Sequence, residues 1–208
     1  MTRQEEKIHL RQAVRQMEAR LPAAYLSRSG EGIVKRLLAL PAYQEAEVVF
    51  CFVGVGTEID TRPFLTAALS AGKRLCVPLC TGPGEMELRQ VTRLSQLAPG
   101  AYGIPEPPPE SGYVPIDSVD FAVIPCRTCS YGGRRLGRGG GYYDRFLAQY
   151  RGGAVLVCRE RLIRAEIPVE PHDMPVPWVL TERALYEDGV PARLAGSSEN
   201  LNANEGTI

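Results

Sequence analysis

Long apolar runs and an excess of charge of either sign are both missing from this sequence of 208 residues. Its most apolar run, Val48 to Val55, is much shorter than the roughly 20 residues that a transmembrane helix needs. The N-terminal residues are charged and have no apolar segment behind them, which is not the pattern of a secretory signal peptide. The 24 basic residues balance 24 acidic residues, so no overall field favours nucleic acid or an anionic membrane. We therefore expect a cytoplasmic protein in which any anion site is local, and nothing in the sequence indicates an obligate protein partner.

Residues for several common kinds of catalysis and nucleotide binding are scarce. His9 and His172 are the only histidines, and no serine nucleophile motif accompanies them, which disfavours a histidine-dependent hydrolase. No Gly-Lys-Ser/Thr has the spacing of a P-loop. The glycines around Gly137 do not form Gly-x-Gly-x-x-Gly after a strand, with a ribose-binding acid at the usual offset. The sequence therefore excludes the two commonest nucleotide-binding motifs.

Six cysteines lie mostly in apolar runs, where free thiols behave as small core residues. Because the chain shows no sign of secretion, we expect these thiols to be buried and reduced. A second interpretation is a structural zinc site. Cys76-x₃-Cys80 and Cys126-x₂-Cys129 offer four thiolates at spacings that such a site can use.

Hydrophobic periodicity predicts helices that alternate with strands. The predicted helices cover residues 5–20, 30–40, 60–72 and 144–150, with Asp60 or Thr61 as the cap of the third. The predicted strands cover residues 47–55, 75–78, 87–91, 119–125, 154–158 and 178–181. Residues 99–115 are rich in proline and glycine, so we expect a loop without regular structure there.

The strand, helix, strand order between residues 47 and 78 is a βαβ unit, which implies a parallel sheet with a right-handed crossover. We predict an α/β fold of three layers, with a mostly parallel sheet and helices on both of its faces. The chain is long enough for one sizeable core. We assign residues 1–194 to a single domain and expect residues 195–208, which are mostly polar, to form a disordered tail.

A segment rich in glycine and arginine, residues 132–145, follows the predicted strand 119–125 at the carboxyl end of the sheet, where open α/β folds bind ligands. Six of its first ten residues are glycine, which lets backbone N–H groups approach an anion closely. Five arginines in and beside the segment, against one aspartate, give a local charge of plus four. We predict a phosphate site here, with Asp144 holding Mg²⁺ beside the phosphate. The alternative is a flexible basic loop before a helix.

Four stretches occur together along the chain. The most specific is Arg135-Leu-Gly-Arg-Gly-Gly-Gly-Tyr-Tyr-Asp-Arg145, which follows a strand ending in Val-Ile-Pro. The others are the pair Lys7 and Arg11, the stretch Thr57-Glu-Ile-Asp-Thr61 and the stretch His172-Asp-Met-Pro175. In this order they resemble the 5-formyltetrahydrofolate cyclo-ligase (5,10-methenyltetrahydrofolate synthetase) family, from the first helix to about residue 182.

The resemblance implies an enzyme that uses ATP and Mg²⁺ to convert 5-formyltetrahydrofolate to 5,10-methenyltetrahydrofolate. ADP and phosphate are released, and the intermediate is a phosphorylated formyl group, an imidate phosphate. The resemblance also implies a Rossmann-like sheet of the NagB/RpiA/CoA-transferase-like type. The implied ATP contacts are Lys7, Arg11, Arg134, Arg135, Leu136, Gly137, Arg138, Gly139, Gly140, Gly141 and Tyr142. The implied folate contacts are Val53, Glu58 and Tyr142, the implied metal ligands are Asp144 and Asp173, and the implied catalytic residues are Arg138 and Tyr142.

Two other functions stay open from the residues alone. A nucleotide-binding regulatory or scaffold paralogue would keep the basic segment and lack turnover, and a sugar-phosphate or CoA-handling protein could use a similar α/β fold. The presence of Glu58, Tyr142 and Asp144 together favours folate catalysis, because a nucleotide binder needs only the basic segment. Trp178 can either stack on a pterin or adenine or belong to the core.

Overall fold

Residues 1–192, the part of the chain that the computed structural model describes, contain both helices and strands. The α-helices in this part are α1 (Arg3–Ala19), α2 (Ala23–Leu38), α3 (Pro41–Glu45), α4 (Arg62–Ser70) and α5 (Tyr142–Gln149). Its strands are β1 (Val48–Cys51), β2 (Arg74–Gly82), β3 (Glu85–Val91), β4 (Ala98–Pro99), β5 (Pro105–Glu106), β6 (Phe121–Pro125), β7 (Thr128–Cys129), β8 (Arg135–Leu136), β9 (Gly153–Val157), β10 (Trp178–Leu180), β11 (Leu185–Glu187) and β12 (Val190–Pro191). The predicted domain end at residue 194 and the predicted disorder of residues 195–208 fall outside the described residues.

Eight of these strands form one sheet in the order β12-β11-β10-β9-β6-β1-β2-β3. The five central strands, from β10 to β2, are all parallel to one another. The outer pairs β2-β3, β10-β11 and β11-β12 are antiparallel. Strands buried on both faces are nearly continuous apolar runs, as β1, β6 and β9 are here. The predicted mostly parallel sheet is confirmed.

Alternate residues of the central strands point to opposite faces of the sheet. Val49 and Cys51 of β1 belong to a core cluster with side chains of α2 and α4. Phe50, which lies between them, packs on the other face against Phe146 of α5, with ring centroids 4.8 Å apart, in a cluster that also contains Val14 of α1. Helices therefore cover both faces, and the predicted three layers are confirmed. No helix within residues 1–192 is both long and apolar enough to cross a membrane.

The first predicted helix is confirmed as α1, but the prediction that the second begins at residue 30 was wrong. Helix α2 begins at Ala23, so Gly30 and Gly32 lie inside it. A Cβ atom at Gly32 would lie 3.1 Å from the Cβ of Glu182. The glycine therefore allows α2 to lie close to the segment that follows β10, and this packing outweighs the low helix propensity of glycine.

The strand predicted over residues 47–55 is shorter than expected, because the chain leaves the sheet after Cys51. The hydroxyl of Thr61 donates a hydrogen bond to the carbonyl of Phe52 (Oγ1 to O 2.8 Å) and accepts one from the N–H of Gly54 (3.0 Å). Thr61 is fully buried at the N-cap position of α4, yet its side chain does not cap that helix. Its hydroxyl instead fixes the turn that carries residues 55–59 over the carboxyl end of the sheet.

The segment that we expected to lack regular structure, residues 99–115, contains short ordered elements. Strands β4 and β5 pair antiparallel, with Ala98 opposite Glu106. The carboxylate of Glu106 is buried and accepts hydrogen bonds from the N–H groups of Cys80 (3.3 Å) and Ala101 (3.2 Å). These bonds hold the segment against β2, so the prediction of an unstructured loop was wrong for residues 99–106.

Replacing Thr61 with valine keeps the shape of the side chain and removes the hydroxyl that joins Phe52 to Gly54. Both backbone groups then lose a partner, so we expect the free energy of unfolding to fall by about 1 to 3 kcal/mol. Thr66→Val, at an exposed position of the same helix, is the matched control and should change it by less than about 0.5 kcal/mol. Urea unfolding at neutral pH measures both. Equal stabilities of the two variants would show that the Thr61 hydroxyl does not hold the turn.

Candidate active site

A cleft of about 540 Å³ opens at the carboxyl ends of the central parallel strands. Ligands of open α/β sheets bind at this edge. The residues that line it include Lys7, Arg11, Val53, Glu58, Arg135, Leu136, Gly137, Arg138, Gly139, Gly140, Gly141, Tyr142, Asp144 and Asp173. The structure thus brings together every predicted site residue except Arg134.

Arg134 lies outside this cleft, although it directly precedes β8. Strands β7 and β8 form a hairpin in which Cys129 pairs with Arg135. Arg135 is buried on the cleft side. Arg134 is exposed and lines a separate, more open cavity beside Tyr131 and Glu166. The position of Arg134 therefore does not support its predicted contact with ATP, because the other predicted site residues line a different cavity.

Arg135 and Asp144 form an ion pair at the floor of the cleft. The Arg135 Nη2 to Asp144 Oδ1 distance is 2.6 Å, and the side chain of Arg135 is only 3% exposed. The same carboxylate oxygen accepts a hydrogen bond from the N–H of Met174 at 3.3 Å. Since Asp144 lies in the first turn of α5, its charge also interacts favourably with the N-terminal end of that helix.

Lys7 is buried against two carboxylates rather than lying on a solvated basic edge. Its Nζ lies 2.6 Å from Glu170 Oε2 and 2.6 Å from Asp173 Oδ2, and its side chain is 4% exposed. Burial alone would lower the pKa of Lys7, but the hydrogen bonds to Asp173 and Glu170 outweigh it, so the pKa is raised. For Asp173, burial would raise the pKa, but the hydrogen bond from Lys7 and one from the N–H of Glu170 outweigh it, so the pKa is lowered. Both groups are therefore charged at neutral pH.

The glycine loop between β8 and α5 lies beside Arg11. Nε of Arg11 donates a hydrogen bond to the carbonyl of Gly137 at 3.0 Å, and burial lowers the pKa of its guanidinium. Gly139 (φ 101°) and Gly141 (φ 73°) have left-handed backbones that favour glycine. Gly141 is the N-cap residue of α5 and supplies no side-chain cap. The first N–H groups of α5 are therefore available to an anion.

Glu58 and Arg138 form an ion pair across the cleft, with Glu58 Oε1 2.7 Å from Arg138 Nη2. Arg138 is half exposed, which leaves its guanidinium accessible to a ligand. The backbone that carries Glu58 is held by buried Arg159, which donates to the carbonyls of Thr57 (2.8 Å) and Glu58 (3.2 Å) and to Ser29 Oγ (3.0 Å). Arg159 therefore positions Glu58 from behind the cleft.

The opposite wall comes from β2 and from the segment around β5. The hydroxyl of Tyr142 donates to the carbonyl of Gly82 and lies 3.1 Å from the hydroxyl of Tyr102. A hydrogen bond with Tyr102 raises the pKa of Tyr142, which is therefore a neutral phenol at physiological pH. Glu106 lines the same wall as a buried carboxylate.

Four residues of the site were missed from the sequence: Glu170, Glu106, Tyr102 and Arg159. Glu170 lies three positions before Asp173, and this proximity was a usable signal. Glu106 is an acid between two prolines in the segment that we expected to be a loop, where no periodicity indicated burial. Arg159 contacts residues about 100 positions away, and no local pattern predicts such contacts.

Two carboxylates of the cleft have donor oxygens that fit a divalent cation. One oxygen of each, Oδ1 of Asp144 and Oδ2 of Asp173, already accepts hydrogen bonds. Within residues 1–192, Oδ2 of Asp144 has no hydrogen-bond partner, and Oδ1 of Asp173 lies 3.8 Å from Nε2 of His172. Mg²⁺ is commonly held by one or two carboxylates together with substrate phosphates. The residues present therefore fit Mg²⁺ beside bound phosphate.

The cysteines of the two predicted motifs do not form a four-thiolate zinc site. Cys126 and Cys129 are close together, but their third neighbour is Cys158, and neither Cys76 nor Cys80 joins them. Cys80 lines the cleft, where burial raises the pKa of its thiol to about 11. All six thiols are free, as expected.

The sequence profile of the 5-formyltetrahydrofolate cyclo-ligase family matches residues 3–182. The 5-formyltetrahydrofolate cyclo-ligase of Escherichia coli (strain K12) is 27% identical over 180 residues, which cover 84% of this chain and 99% of that protein. The enzyme of the same name from Mycolicibacterium smegmatis is 29% identical over 187 residues, which cover 85% and 94%. The NMR structure of Aquifex aeolicus 5,10-methenyltetrahydrofolate synthetase has a TM-score of 0.79 at 28% identity, covering 96% of this chain and 97% of that one.

Lys7→Met leaves the carboxylates of Glu170 and Asp173 without their cation, so we expect it to lower the free energy of unfolding by about 2 kcal/mol at pH 7. Because the folded-state pKa of Asp173 is lowered, the stabilisation from the pair is present above the unfolded pKa and is lost as the pH falls through the folded value. The difference between wild type and variant should therefore shrink from about pH 5 downward.

Urea unfolding at several pH values between 7 and 3 measures this difference. Lys35→Met, at an exposed position of α2, is the matched control and should show a small effect that does not change with pH. A Lys7→Met effect of constant size over this range would contradict the assignment of the stabilisation to ionised carboxylates.

Proposed function

The chain belongs to the 5-formyltetrahydrofolate cyclo-ligase family, and we propose that it uses ATP to close 5-formyltetrahydrofolate to 5,10-methenyltetrahydrofolate, with release of ADP and phosphate. The observation that carries the proposal is the composition of the single cleft. One side has arginines, a glycine loop and a free helix N-terminus, which suit phosphate groups, and the other has carboxylates and tyrosines, which suit a pterin.

The chemistry explains why the groups that bind phosphate and the groups that bind the pterin must share one cleft. The formyl oxygen is a poor leaving group, so N10 cannot displace it directly. In the proposed reaction the formyl oxygen attacks the γ-phosphorus of ATP and ADP leaves. N10 then attacks the carbon of the resulting imidate phosphate and releases its proton, and the carbon–oxygen bond breaks so that phosphate leaves. The two substrates therefore have to meet with the formyl oxygen in line with the γ-phosphate.

The phosphate half is built from residues that can position and neutralise the transferring group. Arg138 is accessible and can donate two parallel hydrogen bonds to phosphate oxygens. Arg135 holds Asp144 in place, and the glycine loop with the first turn of α5 supplies N–H groups. Arg11 adds positive charge from α1, and Lys7 lies on the same helix with its charge paired to Glu170 and Asp173. Asp144 and Asp173 would hold Mg²⁺, which would neutralise charge on the phosphates.

The folate half places two carboxylates where they can accept hydrogen bonds from pterin N–H groups. We assign this role to Glu58 and add Glu106, which lines the same cleft. Val53 supplies an apolar contact, and Tyr142 presents a neutral hydroxyl at the junction of the two halves. Glu58 is paired with Arg138 in this structure. The entering substrates must therefore either separate the two side chains or bind to the intact pair, with the pterin on Glu58 and the phosphate on Arg138.

The proposal predicts that the purified protein, given ATP, Mg²⁺ and 5-formyltetrahydrofolate, forms methenyl product and ADP in equal amounts. Methenyl absorbance and a coupled ADP assay measure the two products. Each substrate omitted in turn is the control. ATP binding without methenyl product would instead indicate a nucleotide-binding regulatory paralogue.

Arg138→Ala should lower kcat/KM for ATP by about 100-fold or more, because the transferring phosphate loses its accessible arginine. Arg151→Ala is the matched control, since Arg151 is exposed beyond the other end of α5 and contacts only nearby carbonyls there. Steady-state kinetics with ATP varied at saturating folate measures both variants. Unchanged turnover of Arg138→Ala would remove Arg138 from the catalytic residues.

A further inference from the structure

Three thiols that the proposed reaction does not use meet beside the cleft. The ligand atoms of Cys126, Cys129 and Cys158 all lie within 4.8 Å of one another. No other group of three or more histidine, cysteine, aspartate or glutamate side chains in residues 1–192 is this close. Cys129 is fully buried, Cys158 is 2% exposed and Cys126 is half-buried.

The sheet itself brings these thiols together. Strands β6 and β9 are parallel and their last paired residues are Pro125 and Val157, so Cys126 and Cys158 follow side by side at the carboxyl ends of the two strands. The β7–β8 hairpin then folds back and places Cys129 against them. The cluster is therefore fixed by backbone pairing and does not depend on a flexible loop.

The surroundings of the cluster suit a negatively charged group. Arg135 is the cross-strand partner of Cys129, and its buried Nε has no hydrogen-bond partner within residues 1–192. The cluster thus combines three converging sulfurs with an adjacent buried cation that can accept further negative charge.

We propose that Cys126, Cys129 and Cys158 bind one soft divalent metal ion, of the Zn²⁺ and Cd²⁺ class, through three thiolates. Thiolates select such ions, whereas the oxygen donors Asp144 and Asp173 suit Mg²⁺. Sulfurs at an ordinary Zn–S distance of about 2.3 Å lie about 3.8 Å apart in a tetrahedron, so the cluster needs to contract by at most about 1 Å. Binding releases the thiol protons to solvent, and the resulting net charge of minus one lies beside Arg135.

Water would supply the fourth ligand of the ion. Within residues 1–192 no histidine or carboxylate completes the group, which distinguishes it from a closed structural zinc site. Cys126 lines both the main cleft and a small cavity of about 20 Å³ next to it, so an ion can reach the thiols from the cleft. A bound ion would join the ends of β6 and β9 to the hairpin that carries Arg135.

Titration of the reduced, chelator-treated protein with Cd²⁺ alone tests the proposal without ATP or folate, so its result does not depend on the proposed reaction. We expect thiolate-to-cadmium charge-transfer absorption that saturates at one ion per chain. Cys129→Ser should weaken binding at least about tenfold. Cys80→Ser, which removes a half-buried thiol outside the cluster, is the matched control and should bind as wild type does. Absence of the absorption, or equal binding by Cys129→Ser, would overturn the proposal.

Wild-type protein provides a second measurement in case Cys129→Ser does not fold. Zn²⁺ should slow the alkylation of Cys126 at least about tenfold while leaving that of Cys80 unchanged, as read by mass spectrometry of the digested protein. Equal alkylation of Cys126 with and without Zn²⁺ would overturn the proposal.

Discussion

The guanidinium of Arg135 and the carboxylate of Asp144, 2.6 Å apart, connect segments that are far from one another in sequence. Arg135 is buried, and a buried charge destabilises a fold unless a partner neutralises it, so the hairpin can stay in place only while α5 presents Asp144. Asp144 also accepts the N–H of Met174 and so fixes the loop that carries Asp173. The carboxylate of Asp173 pairs with Lys7 and so holds α1 in place. Helix α1 in turn contacts the glycine loop through Arg11. The contacts form a closed ring, in which each charged residue is positioned by the next.

The positive charge of the glycine- and arginine-rich segment, residues 132–145, is compensated in the folded protein to an extent that the sequence does not show. The sequence shows five arginines there against one aspartate, but in the folded protein most of that charge is already paired or hydrogen bonded. Arg135 faces Asp144, Arg138 faces Glu58, and Arg127 faces Glu18. An anion that entered the cleft would therefore meet compensated charges, of which that of the half-exposed Arg138 is the easiest to redirect. Selectivity then depends on which ligands can replace Glu58 as its partner.

The parts of the fold that could be predicted from sequence are those whose signal is local. The parallel core strands are continuous apolar runs, and the glycine-rich segment combines composition with its place after a strand. Arg134 and Arg135 are adjacent arginines in the sequence, and only the folded structure shows that Arg135 lines the cleft whereas Arg134 lines a separate cavity. The second helix was predicted to begin at Gly30, but Gly30 and Gly32 lie inside α2, where Gly32 allows a close contact with the distant residue Glu182. Arg159 was missed for the same reason, since all its partners are remote.

The pairing of Lys7 with Glu170 spans 163 positions, which has a consequence for the order in which the protein is made. A ribosome that adds about 5 to 20 residues per second needs roughly 8 to 30 s to synthesise the intervening chain. Helix α1 is complete early in that interval, with a lysine that has no carboxylate to neutralise it. The sheet can begin to assemble from its first βαβ unit during this time, but the cleft cannot. Assembly of this side of the cleft therefore waits until the chain has been synthesised at least as far as Asp173, the second carboxylate that neutralises Lys7.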